Sequence, residues 1–183
     1  MKKITQLSLA ALLAFTLAAC DNAGKTSSNT DSAKKTEVQL SPQEQFRHDY
    51  EKVEKWRAES DKEMNKHFSA FETKMAEAQS SGKTKPEDID KLFAPFTEAT
   101  EKLLKALDEL NLKDPEVIKY TLIIKEAYRA ATTALPMMAK ATLDPLNAVK
   151  ELSKVEAKFK EFEQAQQAVE TEGALLKQKY EQK

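Results

Sequence analysis

Helix-start signals that contain proline recur along the chain, and they constrain the fold more than any other feature. The sequence SPQE at 41–44 combines a serine cap, a proline at the first helical position and a glutamate, which together form a capping box. TKPE at 84–87 repeats this chemistry, and Asp114 and Asp144 each stand directly before a proline. With SSGK at 80–83 as a glycine stop, these signals predict helices over 42–80, 85–111, 115–143 and 145–181.

Apolar residues recur at intervals of three and four through each predicted helix, which is the pattern of an amphipathic helix. In the fourth span this stripe comprises Val149, Leu152, Val155, Phe159, Phe162, Val169, Leu176 and Tyr180. The chain has 3 glycines in 183 residues, which is too few for the tight turns of a sheet protein. Since short connections favour antiparallel neighbours, we predict an all-α, antiparallel four-helix bundle over residues 41–183, with elongated first and fourth helices. A three-helix core with one long arm is the alternative.

The apolar seam of the first helix is interrupted near its middle. Arg57 and Ser60 occupy positions where the helical repeat requires apolar side chains, and Trp56 lies beside them. Such an interruption has three interpretations: a soft spot in the core, a surface for a partner, or a stretch that extends beyond the shorter helices. We take the second as the functional hypothesis, which predicts a partner surface at Trp56, Arg57 and Ser60.

Two further prolines, Pro95 and Pro136, lie inside apolar helical patterns. Proline removes a backbone hydrogen bond and kinks or breaks a helix. Apolar side chains flank both positions, and methionine is common at adaptable binding surfaces. We predict that the bundle flares here into an apolar slot for a lipid or a partner's helix, formed by Phe93, Pro95, Phe96, Pro136, Met137 and Met138. The alternative is a core that tolerates two kinks.

Composition and motifs argue against several classes of function. The formal net charge is −1, so no basic surface for nucleic acid is indicated. A single cysteine excludes an intramolecular disulfide and a zinc site built from cysteine pairs. His48 and His67 lack the Glu-x-x-His spacing of di-iron bundles, although a haem held by His67 and a methionine needs no motif and stays open. Without a serine-nucleophile elbow or a glycine-rich phosphate loop, we expect no catalytic residue, metal or cofactor.

The first twenty residues have the character of an export signal. A basic start precedes an apolar run at 4–19, which is shorter than the roughly 20 apolar residues of a transmembrane helix. The run ends in Leu17, Ala18, Ala19 and Cys20, and this quartet resembles the lipobox of bacterial lipoproteins. The resemblance implies cleavage of a signal peptide at 1–19, diacylglycerol on the Cys20 sulfur and fatty acylation of the new amine. The protein would then be held to a membrane by the lipid on Cys20.

Residues 20–40 read as a lipidated cysteine followed by a flexible linker. The segment 21–40 contains no aromatic residue and cannot bury enough surface to become ordered. A coil of this length spans about 25 Å on average. Asp21 after the cysteine resembles an inner-membrane retention signal of some Gram-negative envelopes. We therefore favour the periplasmic face of the inner membrane over the outer membrane.

Together these features predict a non-enzymatic lipoprotein of the bacterial envelope that acts through protein–protein contact. Its role would be that of an adaptor, a stabiliser or an inhibitor of a larger assembly. Two alternatives remain open at this point. One is a lipoprotein that binds a lipid or a small apolar ligand, and the other is an immunity-type lipoprotein against a toxin that acts outside the cytoplasm.

Overall fold

The structure is a computed structural model that describes residues 40–82 and 85–182, without the side chains of residues 145, 147 and 148. The predicted signal peptide, Cys20 and the linker as far as residue 39 lie outside the described residues. Four α-helices follow one another: α1 (Pro42–Ser81), α2 (Ile89–Asp108), α3 (Pro115–Leu143) and α4 (Pro145–Glu181), with a 3₁₀ turn at Pro86–Asp88. The described ranges contain no strand, and the all-α prediction is confirmed.

Side-chain caps fix the starts of α1 and α3 where the sequence predicts them. The Glu44 N–H donates to Ser41 Oγ at 3.3 Å, and the Ser41 N–H donates to the Glu44 carboxylate at 2.9 Å, so the capping box is complete. Gly82 ends α1 with a left-handed φ of 60°. The Asp114 carboxylate accepts two N–H groups from the first turn of α3, at 3.0 Å each. Local hydrogen bonding therefore accounts for these boundaries.

The second helix is shorter than the predicted span of 85–111. The 3₁₀ turn occupies the first part of that span, and Asn111 adopts a left-handed φ of 51° after the helix has ended at Asp108. Pro95 and Pro136 lie inside α2 and α3, and both helices continue through them. The prolines therefore do not divide their helices.

The helices run antiparallel, which gives the bundle two distinct ends. At the end that we call the base, α1 begins and α4 finishes, and Lys179 Nζ lies 2.7 Å from a Glu116 carboxylate oxygen of α3. At the end that we call the tip, α3 gives way to α4, and Lys140 Nζ lies 2.7 Å from an Asp90 oxygen at the start of α2. The antiparallel four-helix bundle is confirmed.

The outer helices are the longest, as predicted. α1 and α4 contain 40 and 37 residues, whereas α2 and α3 contain 20 and 29. α4 packs mainly along α3, and α1, α2 and α3 contact one another. At the base α4 also reaches α1, where Arg47 Nη1 donates to the Tyr180 carbonyl at 2.7 Å. The single residue Asp144 separates α3 from α4, which keeps these two helices side by side.

The core runs the length of the bundle in two parts. The part nearer the base contains Phe46, Tyr50, Val53, Trp56, Leu107, Val117, Tyr120, Ile124, Ala127, Val169 and Leu176. Towards the tip the buried residues include Met64, Phe68, Phe71, Met75, Ile89, Phe93, Phe96 and Leu135. Full burial of one such large side chain contributes about 1.5–3 kcal/mol, so the hydrophobic effect dominates the stability of the bundle.

Candidate functional site

The polar interruption of α1 forms a hydrogen-bond network inside the bundle. Arg57 Nη1 donates to Tyr120 Oη on α3 at 2.7 Å, and it lies 3.0 Å from a carboxylate oxygen of Glu54. The Arg57 side chain is 11% exposed and Tyr120 is fully buried. The guanidinium, the phenol and the carboxylate satisfy one another, and a buried arginine is retained at low cost when it is paired in this way.

A glycine on α4 makes room for this network. An ideal Cβ built on Gly173 would lie 2.6 Å from Tyr120 Oη and 3.3 Å from Tyr120 Cζ. Glycine inside a helix costs about 1 kcal/mol relative to alanine, and here the absence of a side chain lets α4 approach the buried phenol. α1, α3 and α4 therefore meet at one layer, which we call the Arg57 layer: Glu54, Arg57, Tyr120 and Gly173.

Trp56 and Ser60 are core residues, so the predicted partner surface is wrong for them. Trp56 is 6% exposed, its indole N–H donates to the Leu103 carbonyl at 3.1 Å, and its ring meets Tyr128 edge-on at 6.1 Å between centroids. Ser60 is fully buried, and its hydroxyl has no hydrogen-bond partner among the described residues. Arg57 turns inward to Tyr120. The seam is interrupted because it carries a buried polar layer, and the Trp56 and Ser60 side chains are turned away from solvent.

Burial shifts the pKa of titratable side chains beside the Arg57 layer. Burial raises the pKa of Asp61, an effect that the Arg57 charge opposes and the Glu54 charge reinforces. Burial likewise raises the pKa of Tyr120 to about 12, against the influence of the Arg57 charge. The pKa of Tyr128 is raised chiefly by burial, with a contribution from the Asp61 charge. Both phenols therefore stay protonated at physiological pH and act as hydrogen-bonding groups rather than as bases.

A second buried charge, Asp49, ties α1 to the loop that precedes α3. Its Oδ2 accepts the N–H groups of Lys113 at 2.6 Å and Asp114 at 2.8 Å, and the residue is fully buried. Burial alone would raise the pKa of Asp49, but these two N–H groups, with the side chains of Gln45 and His48, hold it below its ordinary value. The burial of Asp49 could not be predicted, because a lone aspartate on a charged helix carries no signal of burial.

The residues predicted to form an apolar slot differ in their exposure. Phe93 and Phe96 are core residues, 2% and 5% exposed, with ring centroids 4.6 Å apart. Pro95 lies on the exposed side of α2. Pro136, Met137 and Met138 are half-buried. Consecutive helical positions point in different directions, so the two aromatic rings face the core while the proline between them faces solvent, and Pro95 does not share a face with Phe93 and Phe96.

A shallow crevice does occur at the tip, between the 3₁₀ turn at Pro86–Asp88, the end of α3 and the start of α4. Its volume is about 500 Å³, and of the six predicted slot residues it is lined by Met137. The other lining residues are Pro86, Glu87, Lys140, Ala141, Asp144, Glu151 and Val155. Its lining combines charged and apolar side chains, so the crevice has a mixed character.

Beside this crevice, the start of α4 exposes a row of aliphatic side chains. Leu146, Val149 and Leu152 are 85%, 72% and 50% exposed, and we call these three residues the tip row. Among the α4 side chains that the structure describes, Phe162 is the first that is buried. The sequence pattern places Val149 and Leu152 in the core stripe, and the structure corrects this because spacings of three turn the row progressively away from α3.

Within residues 40–82 and 85–182, no three or more His, Cys, Asp or Glu side chains are grouped so that they could hold a metal ion. Each histidine instead has one carboxylate neighbour: His48 Nδ1 lies 3.3 Å from Asp49, and His67 Nε2 lies 3.2 Å from Glu63. No helix in these same ranges combines the length and the apolar character needed to cross a membrane.

Comparison with known proteins yields one family relationship. The model of a protein family described as "Uncharacterised lipoprotein PM1805" matches residues 47–181. Searches of the curated proteins and of the solved structures found no match. The matched range includes the Arg57 layer, Asp49 and the tip row.

Proposed function

The chain belongs to this family of bacterial lipoproteins, and from that premise we propose that it is a lipid-anchored envelope protein that acts by binding another protein. The observation that carries the proposal is the tip row, because a contiguous exposed apolar patch is a common mark of a site of interaction with a protein or a membrane. The role would be that of an adaptor, a stabiliser or an inhibitor, and no catalytic step is assigned to it.

The anchor that we propose is a fatty-acylated Cys20. Family membership supports lipid anchoring at the cell envelope, and the lipobox at Leu17–Cys20 supports the attachment point. Each buried methylene contributes about 0.8 kcal/mol, and stable anchoring requires two signals, such as two acyl chains. On this proposal the bundle lies on the extracytoplasmic side, and Asp21 favours the periplasmic face of the inner membrane.

Substitution of the anchor tests this part directly. Cys20→Ala should abolish the incorporation of labelled palmitate and move the protein from the membrane fraction to the soluble fraction of the envelope. Ser27→Ala, a conservative change in the linker, is the control and should change neither. Membrane association that survives Cys20→Ala without acylation would refute the anchor.

The proposed mode of action is tested with the full-length protein extracted gently from its own membrane. Native mass spectrometry should show a defined heteromeric mass that contains one acylated copy of this chain and a second protein. A spectrum of the acylated chain alone, under conditions that preserve other envelope complexes in the same extract, would count against protein contact. A monomer that carries one reproducible additional small mass would instead indicate that the protein binds a small ligand.

A further inference from the structure

We propose that residues 146–161, the first turns of α4, form a strap that opens from α3 by itself while the rest of the bundle stays folded. We call this segment the α4 strap, and we call residues 162–181 the base half of α4. The inference goes beyond the proposed function, because it concerns how the bundle opens and does not depend on what contacts the tip row.

The two parts of α4 differ in how they are anchored in the core. Three apolar side chains of the base half are buried: Phe162, Val169 and Leu176. Among the strap side chains that the structure describes, none is buried, and Val155, Lys158 and Phe159 are half-buried. The free energy needed to open a segment rises with the apolar surface that leaves the core. The strap therefore opens more readily than the base half.

Polar contacts show the same division. The base half is joined to other helices, since Lys119 Nζ on α3 lies 3.0 Å from a Glu172 oxygen and the Tyr180 hydroxyl donates to Glu51 on α1 at 2.6 Å. Two ion pairs of the strap lie within α4 itself: Lys154 with Glu151, and Lys158 with Glu161. Because these two pairs link residues of one helix, they do not hold the strap to α3.

Contacts among the other three helices close the core at the tip. The rings of Phe71 on α1 and Phe93 on α2 meet edge-on at 5.0 Å between centroids, and Phe93 lies 4.6 Å from Phe96. Lys140 on α3 lies 2.7 Å from Asp90 at the start of α2. None of these contacts involves α4, so they persist when the strap opens.

Opening of the strap has two consequences. An isolated helix of about this length is only marginally stable in water, so the backbone N–H groups of the open strap become available for hydrogen exchange. Opening also uncovers the α3 side of the tip crevice, where Met137 and Ala141 form the lining together with Val155. The strap therefore controls access to this part of α3.

Hydrogen–deuterium exchange of the full-length protein in detergent, followed by mass spectrometry, tests the inference. Amides of the strap should exchange about a hundredfold or more faster than amides between Phe162 and Leu176, because the base half must also expose three buried apolar side chains. The strap amides should still exchange more slowly than those of an unstructured peptide. Equal rates in the two parts of α4, or strap rates equal to those of an unstructured peptide, would overturn the inference.

A matched pair of variants shows whether the two parts open separately. Ala157 in the strap and Ala168 in the base half are both exposed, and replacement of alanine by glycine lowers helix propensity at either position by the equivalent of about a fivefold change in an equilibrium constant. Ala157→Gly should accelerate exchange in the strap about fivefold. Ala168→Gly should accelerate exchange in the base half by a similar factor and leave the strap unchanged, because the strap opens while the base half is still folded.

The response of the strap to Ala168→Gly distinguishes a strap from a single cooperative unit. If Ala168→Gly accelerates exchange in the strap and in the base half equally, the strap unfolds only with the bundle and the inference is wrong. A strap rate that Ala157→Gly leaves unchanged would also contradict it. None of these results alters the heteromeric mass expected in native spectra, so the inference can fail while the proposed function stands.

Discussion

Replacement of Asp49 should reveal how strongly one buried carboxylate holds α1 against the rest of the bundle. The side chain is fully buried and accepts two backbone N–H groups, from Lys113 and Asp114, at the entrance to α3. Asp49→Ala leaves both donors without this acceptor, and each unsatisfied buried donor costs about 1–3 kcal/mol. We therefore expect Asp49→Ala to lower the free energy of unfolding by about 3–5 kcal/mol.

The conservative variant separates charge from shape. Asp49→Asn keeps an acceptor oxygen of similar position but removes the charge that strengthens both hydrogen bonds, and we expect a loss of about 1–2 kcal/mol. The control is Asp114→Ala, which removes an ordinary helix cap from the same loop and should cost about 1 kcal/mol. Urea denaturation of the purified protein, followed by circular dichroism, measures all three.

The pH dependence gives the sharpest test of this reasoning. The pKa of Asp49 is lower in the folded protein than its ordinary value, so the unfolded chain binds its proton more readily. Its contribution to stability is therefore complete above about pH 4 and is lost as the pH falls through the folded pKa. The difference between wild type and Asp49→Asn should shrink on acidification. A difference that is absent at pH 7, or that grows as the pH falls, would refute a charged acceptor at this position.

Three further predictions concern the middle of the bundle. Gly173→Ala should destabilise the protein by about 1–2 kcal/mol, because overpacking against the Tyr120 hydroxyl outweighs the gain in helix propensity. In a Tyr120→Phe background the same change should become neutral or stabilising. Thermal melts of the wild type, the two single variants and the double variant test this, and additive effects on stability would mean that the clash is absent. Ser60→Ala removes a buried hydroxyl without a described partner and should raise the urea midpoint by the equivalent of about 1 kcal/mol; a lower midpoint would mean that the hydroxyl is satisfied. Trp56→Ala should lower the free energy of unfolding by about 3–5 kcal/mol. A variant with the same urea midpoint as the wild type would contradict the place of Trp56 in the core.

The helix pattern could be predicted because its determinants are local. The capping box at Ser41 and Glu44, and the cap at Asp114, involve residues three apart or fewer, so the sequence contains all of the chemistry that forms them. α2 was predicted less well. The first residues of the predicted span form a 3₁₀ turn, and Asn111 adopts a left-handed conformation after the helix has ended; neither feature has a strong local signal.

The meaning of the polar seam could not be predicted because its partners are distant in the sequence. Arg57 is recognisable as a polar residue in a core position, but its role depends on Tyr120, 63 residues later, and on the space left by Gly173. The isolated glycine in a long helical pattern was the one signal that pointed to a close approach. The assignment of Val149 and Leu152 to the core stripe is wrong for a related reason, since an apolar stripe indicates a face that can be buried and does not show whether a neighbouring helix covers it.

The contacts at the base determine how the bundle would carry mechanical load. On the proposed anchor, tension from the membrane enters the domain at Ser41, beside the turns of α1 where Arg47 Nη1 binds the Tyr180 carbonyl and the Tyr180 hydroxyl donates to Glu51 at 2.6 Å. These hydrogen bonds and those of Asp49 join α1 to other elements of the bundle rather than lie within one helix. A force along the bundle axis therefore acts on all of them at the same time, as a shear force. A load applied at the opposite end of the bundle would place the whole length of α1 and α4 under that tension, and the first turns of α1 would resist it as a unit.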